Sequence, residues 1–501
     1  MEPADLPERI EGYGPVRPPA PARPKTARMP STKRLPSLGA AFDACGIGDG
    51  ATLSFHHHLR NGDQVLNKVL AEAAARGLRG LTVAASSLFP VHEPLVAHLK
   101  SGVVARLVTA YMAGPVADAV SSGVLATPVV MQTHGGRARA IESGELKIDV
   151  AFIAAPAADA QGNLNGVDGP AACGALGYAM VDAMHARRVV AVTDHLVPFP
   201  LSPVDIAQDR VDFVAVIDSI GDPKGILSGT TRPTTEPVGL AIAAAAARVV
   251  AASGLLVDGF SFQTGAGGVS LAVAAQVREA MRRARVQGSF AAGGVTGMLC
   301  EMLDEGLFRS IFDVQCFDLH AVDSYRRDPR HVAMSASMYA SPASRGAVVE
   351  QLDTMILGAA EVDLDFNVNV TTGASGRILG GSGGHADTAA GARLAVVTTR
   401  LAAGGVPKIV ERVVCRTTPG ATIDVVVTEA GIAVNPLRPD LADRLRAAGE
   451  PVTTIAALHD AARRLATQTA PAPAQDAPLV AVVEYRDGSV VDVVRRAARA
   501  G

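Results

Sequence analysis

The chain has 501 residues, of which 48% are hydrophobic and 19% charged, with a formal charge of -3. That balance leaves no positive field for a phosphate backbone, and no Lys/Arg block is interleaved with aromatics, which excludes nucleic acid as a partner. Five scattered cysteines without a CxxC pair, an N-terminus without an apolar signal core and no run of about 18 apolar residues argue against a disulfide scaffold, a zinc site, secretion and membrane insertion, and predict a cytoplasmic protein.

A chain of this length outgrows a single hydrophobic core, so more than one domain is expected. Residues 1–38, rich in Pro, Arg and Lys without hydrophobic period, predict a disordered tail. From Cys45 onward short Val/Ala/Leu runs, such as 80–86, 149–155 and 188–193, alternate with Ala-rich helical stretches. This predicts an α/β fold with largely parallel sheets covered by helices. A weak repeat lays Asp149-Val150-Ala151-Phe152 and Gly162 on Asp363-Leu364-Asp365-Phe366 and Gly376, and Asp49-Gly50 on Asp258-Gly259. It predicts two similar domains, 39–237 and 238–501, with a ligand cleft between them at the carboxyl ends of the strands. After a Pro-rich spacer, the runs 479–485 and 490–494 flank Asp487-Gly488 and predict a hairpin, assigned to the second domain.

Along the chain, the first conspicuous motif is Phe55-His56-His57-His58-Leu59-Arg60-Asn61-Gly62-Asp63 after an apolar strand. Side chains alternate on extended backbone, so His57 points away from His56 and His58, and no carboxylate sits at i, i+4 spacing; no metal is expected. A structural role competes with recognition of an anion by His56, His58, Arg60 and Asn61. The loops at 133–137 and 159–166 admit either turn chemistry or amide donors for a carboxylate, and Glu301, Asp304 and Glu305 read as a solvated helix face.

Gln263-Thr264-Gly265-Ala266-Gly267-Gly268 follows a strand and opens a helix, where exposed N–H groups suit an anion or oxyanion. No acidic residue follows at the distance a dinucleotide site requires. Gly380-Gly381-Ser382-Gly383-Gly384 formally matches a hydrolase nucleophile elbow, but His385 and Asp387 are too near in sequence to fold back onto Ser382. A glycine loop admitting close ligand approach is the better reading, with Ser382, Gly383, Gly384 and His385 as binding residues beside Gln263.

These segments, together with LTVAASSL at 81–88, GALGYAMVDA at 174–183, DGFSFQTGAGG at 258–268, FNVNVTTG at 366–373 and VTEAGIAVNP at 427–436, resemble the alpha subunit of citrate lyase, within the CoA-transferase superfamily. The resemblance implies two CoA-transferase domains and exchange of acetate for citrate on an acyl-carrier-protein thioester, giving citryl-carrier and acetate. It implies as partners the acyl carrier protein (gamma) with its CoA-like prosthetic group and a separate beta subunit that cleaves citryl-carrier. Related CoA transferases use a glutamate nucleophile; the corresponding stretch here is Ala291-Ala292-Gly293-Gly294-Val295-Thr296, with Gly293 at that position. The expected route is therefore a mixed anhydride without a covalent enzyme intermediate, with N–H groups of Gly265, Gly267 and Gly268 as the catalytic oxyanion donors. A covalent-glutamate transferase, a citramalate enzyme and a non-catalytic scaffold are the alternatives.

Overall fold

Runs of Val, Ala and Leu without polar alternation are stable only in strands covered on both faces. The computed structural model describes residues 7–12, 14–16, 32–227, 232–265, 267–468 and 472–497, and uses these runs in two large sheets. The first contains β1 (Arg34–Leu35), β2 (Thr52–Phe55), β3 (Leu81–Ala85), β4 (Val104–Thr109), β5 (Val129–Met131), β6 (Val150–Ala154), β7 (Arg188–Thr193) and β8 (Phe213–Val216). The second contains β9 (Ser261–Thr264), β10 (Gly288–Val295), β11 (Phe308–Cys316), β12 (His331–Ala333), β13 (Thr354–Gly358), β14 (Leu394–Thr398), β15 (Val425–Thr428), β16 (Gly431–Val434) and β17 (Val452–Thr453). The last strands, β18 (Leu479–Glu484) and β19 (Val490–Arg495), form the expected hairpin.

The spatial orders are β19-β18-β5-β4-β3-β2-β6-β7-β8-β1 and β12-β11-β10-β9-β13-β14-β15-β16-β17. All neighbours are parallel except β18/β19 and β15/β16. The helices that matter below are α1 (Leu38–Cys45), α2 (Val65–Ala75), α3 (His134–Glu142), α4 (Gly177–His185), α5 (Pro237–Ala252), α6 (Gly268–Ala284) and α7 (His385–Gly391). In α2 the buried residues Val65, Leu66, Val69, Leu70 and Ala73 form one apolar stripe at helical spacing. No described helix is long and apolar enough to cross a membrane.

Hydrogen bonds place the internal repeat in a different register from the sequence alignment. Asp149 accepts from the N–H of Thr52 at the start of β2 (2.9 Å), and its counterpart is Asp353, which accepts from Ser261 at the start of β9 (3.0 Å). Asp363 matches Asp159 instead: each closes a tight turn by accepting from the amide of an asparagine four residues on, Asn163 (2.7 Å) or Asn367 (3.2 Å). The Asp49 and Asp258 pairing stands, for both carboxylates accept from the N–H opening the next strand-bearing segment, Arg79 (2.7 Å) and Gln287 (3.0 Å).

Two boundaries also shift. Residues 33–38 belong to the folded body: β1 pairs in parallel with β8, Lys33 Nζ donates to the carbonyl of Val211 (2.6 Å), and Ser37 caps α1 by accepting from Ala40 N–H (3.1 Å). Arg9–Ile10 pairs with Gly14–Pro15 in a small ribbon, and residues 1–6, 13 and 17–31 of the expected tail lie outside the described residues. The C-terminal hairpin crosses back to the first sheet, where β18 lies parallel to β5, so it is not part of the sheet built by 261–453.

All five cysteines are buried and unpaired. Cys316 meets a neighbour on its own strand and a residue of the next: its thiol donates to Asp313 Oδ2 (3.0 Å), which lies 3.0 Å from His331 Nε2 on β12. Burial and Asp313 push the thiol far above its ordinary range, so Cys316 is a buried thiol donor and not a reactive thiolate.

Candidate active site

Parallel strands aim all their carboxyl ends one way, and here the two sheets bring theirs to a shared cleft. From the first sheet come His57 after β2, Ser87 after β3, Tyr111 after β4 and His134 after β5. From the second come Gly265 and Gly267 after β9, Gly294 and Val314 on β10 and β11, Gly358 at the end of β13, and the loop Gly381–Gly384. They enclose a cavity of about 430 Å³. The domains are stitched around it: His134 N–H donates to Gly383 carbonyl (2.8 Å), Gly383 N–H to Ala110 carbonyl (3.1 Å), and Gln315 Nε2 to His57 carbonyl (2.7 Å).

The histidine motif divides between wall and scaffold. His56 Nε2 is hydrogen-bonded to buried Asp182, which also takes both terminal nitrogens of Arg137 (3.1 Å each) and the hydroxyl of Ser54 (3.1 Å). Burial pushes the Asp182 carboxyl up, but Arg137 and His56 outweigh it and hold the carboxylate ionised. His58 is buried with neither ring nitrogen hydrogen-bonded among the described residues, and burial holds it down to about 3. Neither lines the cavity. His57 does: its ring lies 4.6 Å from that of Tyr178 and 5.6 Å from that of His134, and Nδ1 is 2.6 Å from Ser86 Oγ.

Arg60 lines the cavity in a left-handed backbone conformation (φ 51°), unusual for a side-chain-bearing residue. It is 7% exposed, with its guanidinium 4.7 Å from the Phe317 ring centre and 5.2 Å from that of Phe89. Burial lowers its affinity for its proton, without threatening a guanidinium's charge. Asn61 is exposed outside the cavity and accepts from Val91 N–H (3.0 Å).

Gln263 and the glycine loop reach the cavity, but not all their donors are available. Gly265 N–H donates to the carbonyl of Ile356 (2.8 Å), which removes it as an oxyanion donor. The N–H groups of Gly267 and Gly268 open α6 and have no acceptor among the described residues; Ala266 lies outside them. Gln263 Nε2 donates to Tyr339 Oη (2.8 Å), leaving the tyrosine hydroxyl proton free to point onward. Gly293, on the strand beside it, has φ 101°, and a Cβ there would lie 2.3 Å from Gln263 Nε2. The Gln263 amide thus fills the space that a side chain at 293 would need.

Ser382, Gly383, Gly384 and His385 all line the cavity. His385 is locked, however: Nδ1 is 2.7 Å from Thr418 Oγ1 and Nε2 donates to the Gly358 carbonyl (2.9 Å). With both nitrogens used and burial holding it down to about 4, it is a neutral strut rather than a cation for a carboxylate. The polar loops expected at 159–166 close turns among themselves, with Asn165 donating to Asp168 (2.9 Å) and the Pro203 carbonyl (3.0 Å), away from the cavity. Glu301 meets Arg278 (2.6 Å) on the outer face of its helix. His134, from the polar loop 133–137, completes the wall with Tyr111, Tyr178 and Tyr339, and these three tyrosines were not among the expected site residues.

Two parallel sheets joined across a glycine-lined cleft define an α/β fold of CoA-transferase type. A Pseudomonas malonate decarboxylase hetero-tetramer contains a chain of the same fold, with a TM-score of 0.62 over 88% of this chain and 92% of that one at 18% identity. Residues 31–497 match the family described as citrate lyase, alpha subunit (CitF), and the chain belongs to that family. The citrate lyase alpha chains of Klebsiella pneumoniae and Escherichia coli (strain K12) are each 46% identical over 460 residues, 92% of this chain and 90% of theirs. The alpha subunit of citrate lyase from Streptococcus mutans, solved in complex with citrate, has a TM-score of 0.92 at 45% identity and 99% coverage of each chain. Membership makes this chain a transferase subunit of the multi-subunit citrate lyase.

Proposed function

We propose that the cavity between the sheets exchanges acetate for citrate on the thioester of an acyl carrier protein, releasing citryl-carrier to a separate lyase subunit in the cytoplasm. The observation that carries the chemistry is that none of the described residues lining the cavity is a carboxylate, and that Gln263 occupies the space a side chain at Gly293 would take. Without an enzyme nucleophile, a citrate carboxylate oxygen attacks the acetyl carbonyl and the carbon–sulfur bond breaks, expelling the thiolate. The resulting acetyl-citryl anhydride is then attacked by that thiolate at the citryl carbonyl, and acetate departs with the bridging oxygen. Holding both acyl groups and the thiol in one enclosure supplies the proximity this sequence needs.

Arg60 is the fixed cation for citrate, and the N–H groups of Gly267 and Gly268, with the Tyr339 hydroxyl, are the donors for the tetrahedral oxyanions. A second hollow of about 240 Å³ shares Gly267 and Gly358 with the first and is lined by Ser270, Arg400 and Lys408. Its cations and hydroxyls suit the phosphates of a CoA-like carrier arm whose thiol reaches the central cavity. Mixing the purified chain with acetyl-loaded carrier and isotopically labelled citrate, with no lyase subunit present, should yield citryl-carrier and acetate by mass spectrometry, without oxaloacetate. No exchange would sink the proposal, and exchange with citramalate alone would reassign the substrate.

A further inference from the structure

Charge in the cavity is unbalanced in a way that bears on how a polycarboxylate enters. Among the described lining residues Arg60 is the single permanent cation, so a ligand with three carboxylates would bring uncompensated negative charge into a largely desolvated space. The remaining basic groups on the wall are His57, His134 and His385. His385 is excluded by its two bonds to Thr418 and Gly358. His134 is the first residue of α3, where the helix dipole opposes a cation, and Arg137 one turn on opposes it further; it is held down to about 3 by burial and that guanidinium.

His57 is differently placed. Ser86 Oγ accepts from its backbone N–H (3.1 Å) and lies 2.6 Å from Nδ1, so Nε2 is the nitrogen left to meet a ligand. A serine hydroxyl can donate to Nδ1 of a neutral imidazole, or rotate and accept from Nδ1–H of an imidazolium while still accepting from the backbone. The groups facing His57 are Arg60 on its own segment, His134 on α3, and Tyr178 on α4; from β11, Gln315 donates to its carbonyl. Behind them, Asp182 is committed to His56 and Arg137, and Asp387 to Thr133 and Gly135. Burial and the cationic or basic neighbours His134, His58, Arg60 and His56 keep His57 neutral. A bound polyanion reverses the sign of that neighbourhood.

We propose that His57 is a substrate-binding residue that takes up a proton from solvent as citrate enters, so that Nε2–H and Arg60 hold the polycarboxylate as a cation pair. This rests on the citrate reading above. Citrate titrated into the full chain near pH 7.5, in buffers of different ionisation enthalpy, should show uptake approaching about one proton per site; on linkage grounds affinity should then fall by up to about tenfold per pH unit between pH 7.5 and 9. The ¹⁵N resonances of the His57 ring, assigned by their loss in His57→Gln, should move from neutral to imidazolium positions on saturation. A buffer-independent heat, uptake unchanged in His57→Gln, or His57 resonances that stay neutral would each overturn the inference, and should His57→Gln fail to fold, His57→Asn serves for both the assignment and the uptake. Absence of labelled-citrate binding by equilibrium dialysis would instead strike the citrate reading itself.

Discussion

At the scale of single residues the site turns on side chains whose freedom has been removed. Arg60 is held in the left-handed backbone region between two aromatic rings, one from each domain, a conformation that costs on the order of 1 kcal/mol and persists only where the surroundings impose it. Arg60→Gln keeps much of the volume and deletes the charge. Citrate binding measured by calorimetry should weaken about 10- to 100-fold, the worth of a charge-assisted hydrogen bond, while the far-ultraviolet spectrum is retained. Arg60→Lys should fall between the two, since an ammonium restores charge but not the planar stack on Phe89 and Phe317; a loss under about threefold in Arg60→Gln would remove it from recognition. Sequence made Arg60 legible because a cation beside histidines after an apolar strand has few structural uses. The histidines it pointed to, His56 and His58, are not the one that lines the cavity, which is His57. His56 and His58 do share a side, with rings 6.1 Å apart, and His57 the other, as alternation requires. Both faces of β2 are buried, so alternation alone could not tell which side led to the cleft.

At the scale of elements the informative contact is the one between the start of α3 and the start of α7. Asp387 is fully buried and accepts from Thr133 Oγ1 (2.8 Å) and Gly135 N–H (2.9 Å), with Arg486 of the C-terminal hairpin 3.8 Å away. Burial pushes its carboxyl up to about 6 against those donors, from the ordinary 3.8. The folded state therefore holds this proton more tightly than the unfolded chain does. Asp387 contributes stability that is complete below the ordinary carboxylate range and is lost as pH rises through about 6, an effect of about 3 kcal/mol. Urea denaturation should find the native chain losing about that much relative to Asp387→Asn between pH 4 and pH 7; a difference independent of pH would mean that Asp387 does not titrate there. The elements themselves were largely readable, because uninterrupted Val/Ala/Leu runs between helical stretches leave few options other than a parallel sheet. What misled was repetition of turn chemistry: Asp149 and Asp159 recur as Asp353 and Asp363, and few identities cannot choose between two such registers. The hairpin's destination was unreadable for a related reason, since β18 adds to an open edge at β5 by backbone pairing that any strand can make.

At the scale of the whole molecule, two similar halves place their glycine loops and strand ends around one enclosure, and the asymmetry between them decides the chemistry. The first half supplies the basic and aromatic wall through His57, Arg60, His134 and Tyr178; the second supplies helix-terminal N–H groups and the Gln263–Tyr339 pair where a nucleophile could have stood. An exchange run by such a pair of walls leaves an isotopic signature. If citrate's own carboxylate attacks the acetyl thioester, the oxygen bridging the anhydride originates in citrate and leaves in acetate. Under single-turnover conditions, with the chain in excess over acetyl-carrier and citrate labelled with ¹⁸O in its carboxylates, the released acetate should carry one ¹⁸O atom. A covalent glutamate route would instead transfer an unlabelled oxygen from the protein in the first turnover and would leave a species that hydroxylamine traps on the chain. Unlabelled acetate would refute the direct attack even though the transfer itself proceeds, because only the origin of that oxygen separates a cavity that positions two substrates from one that takes part covalently.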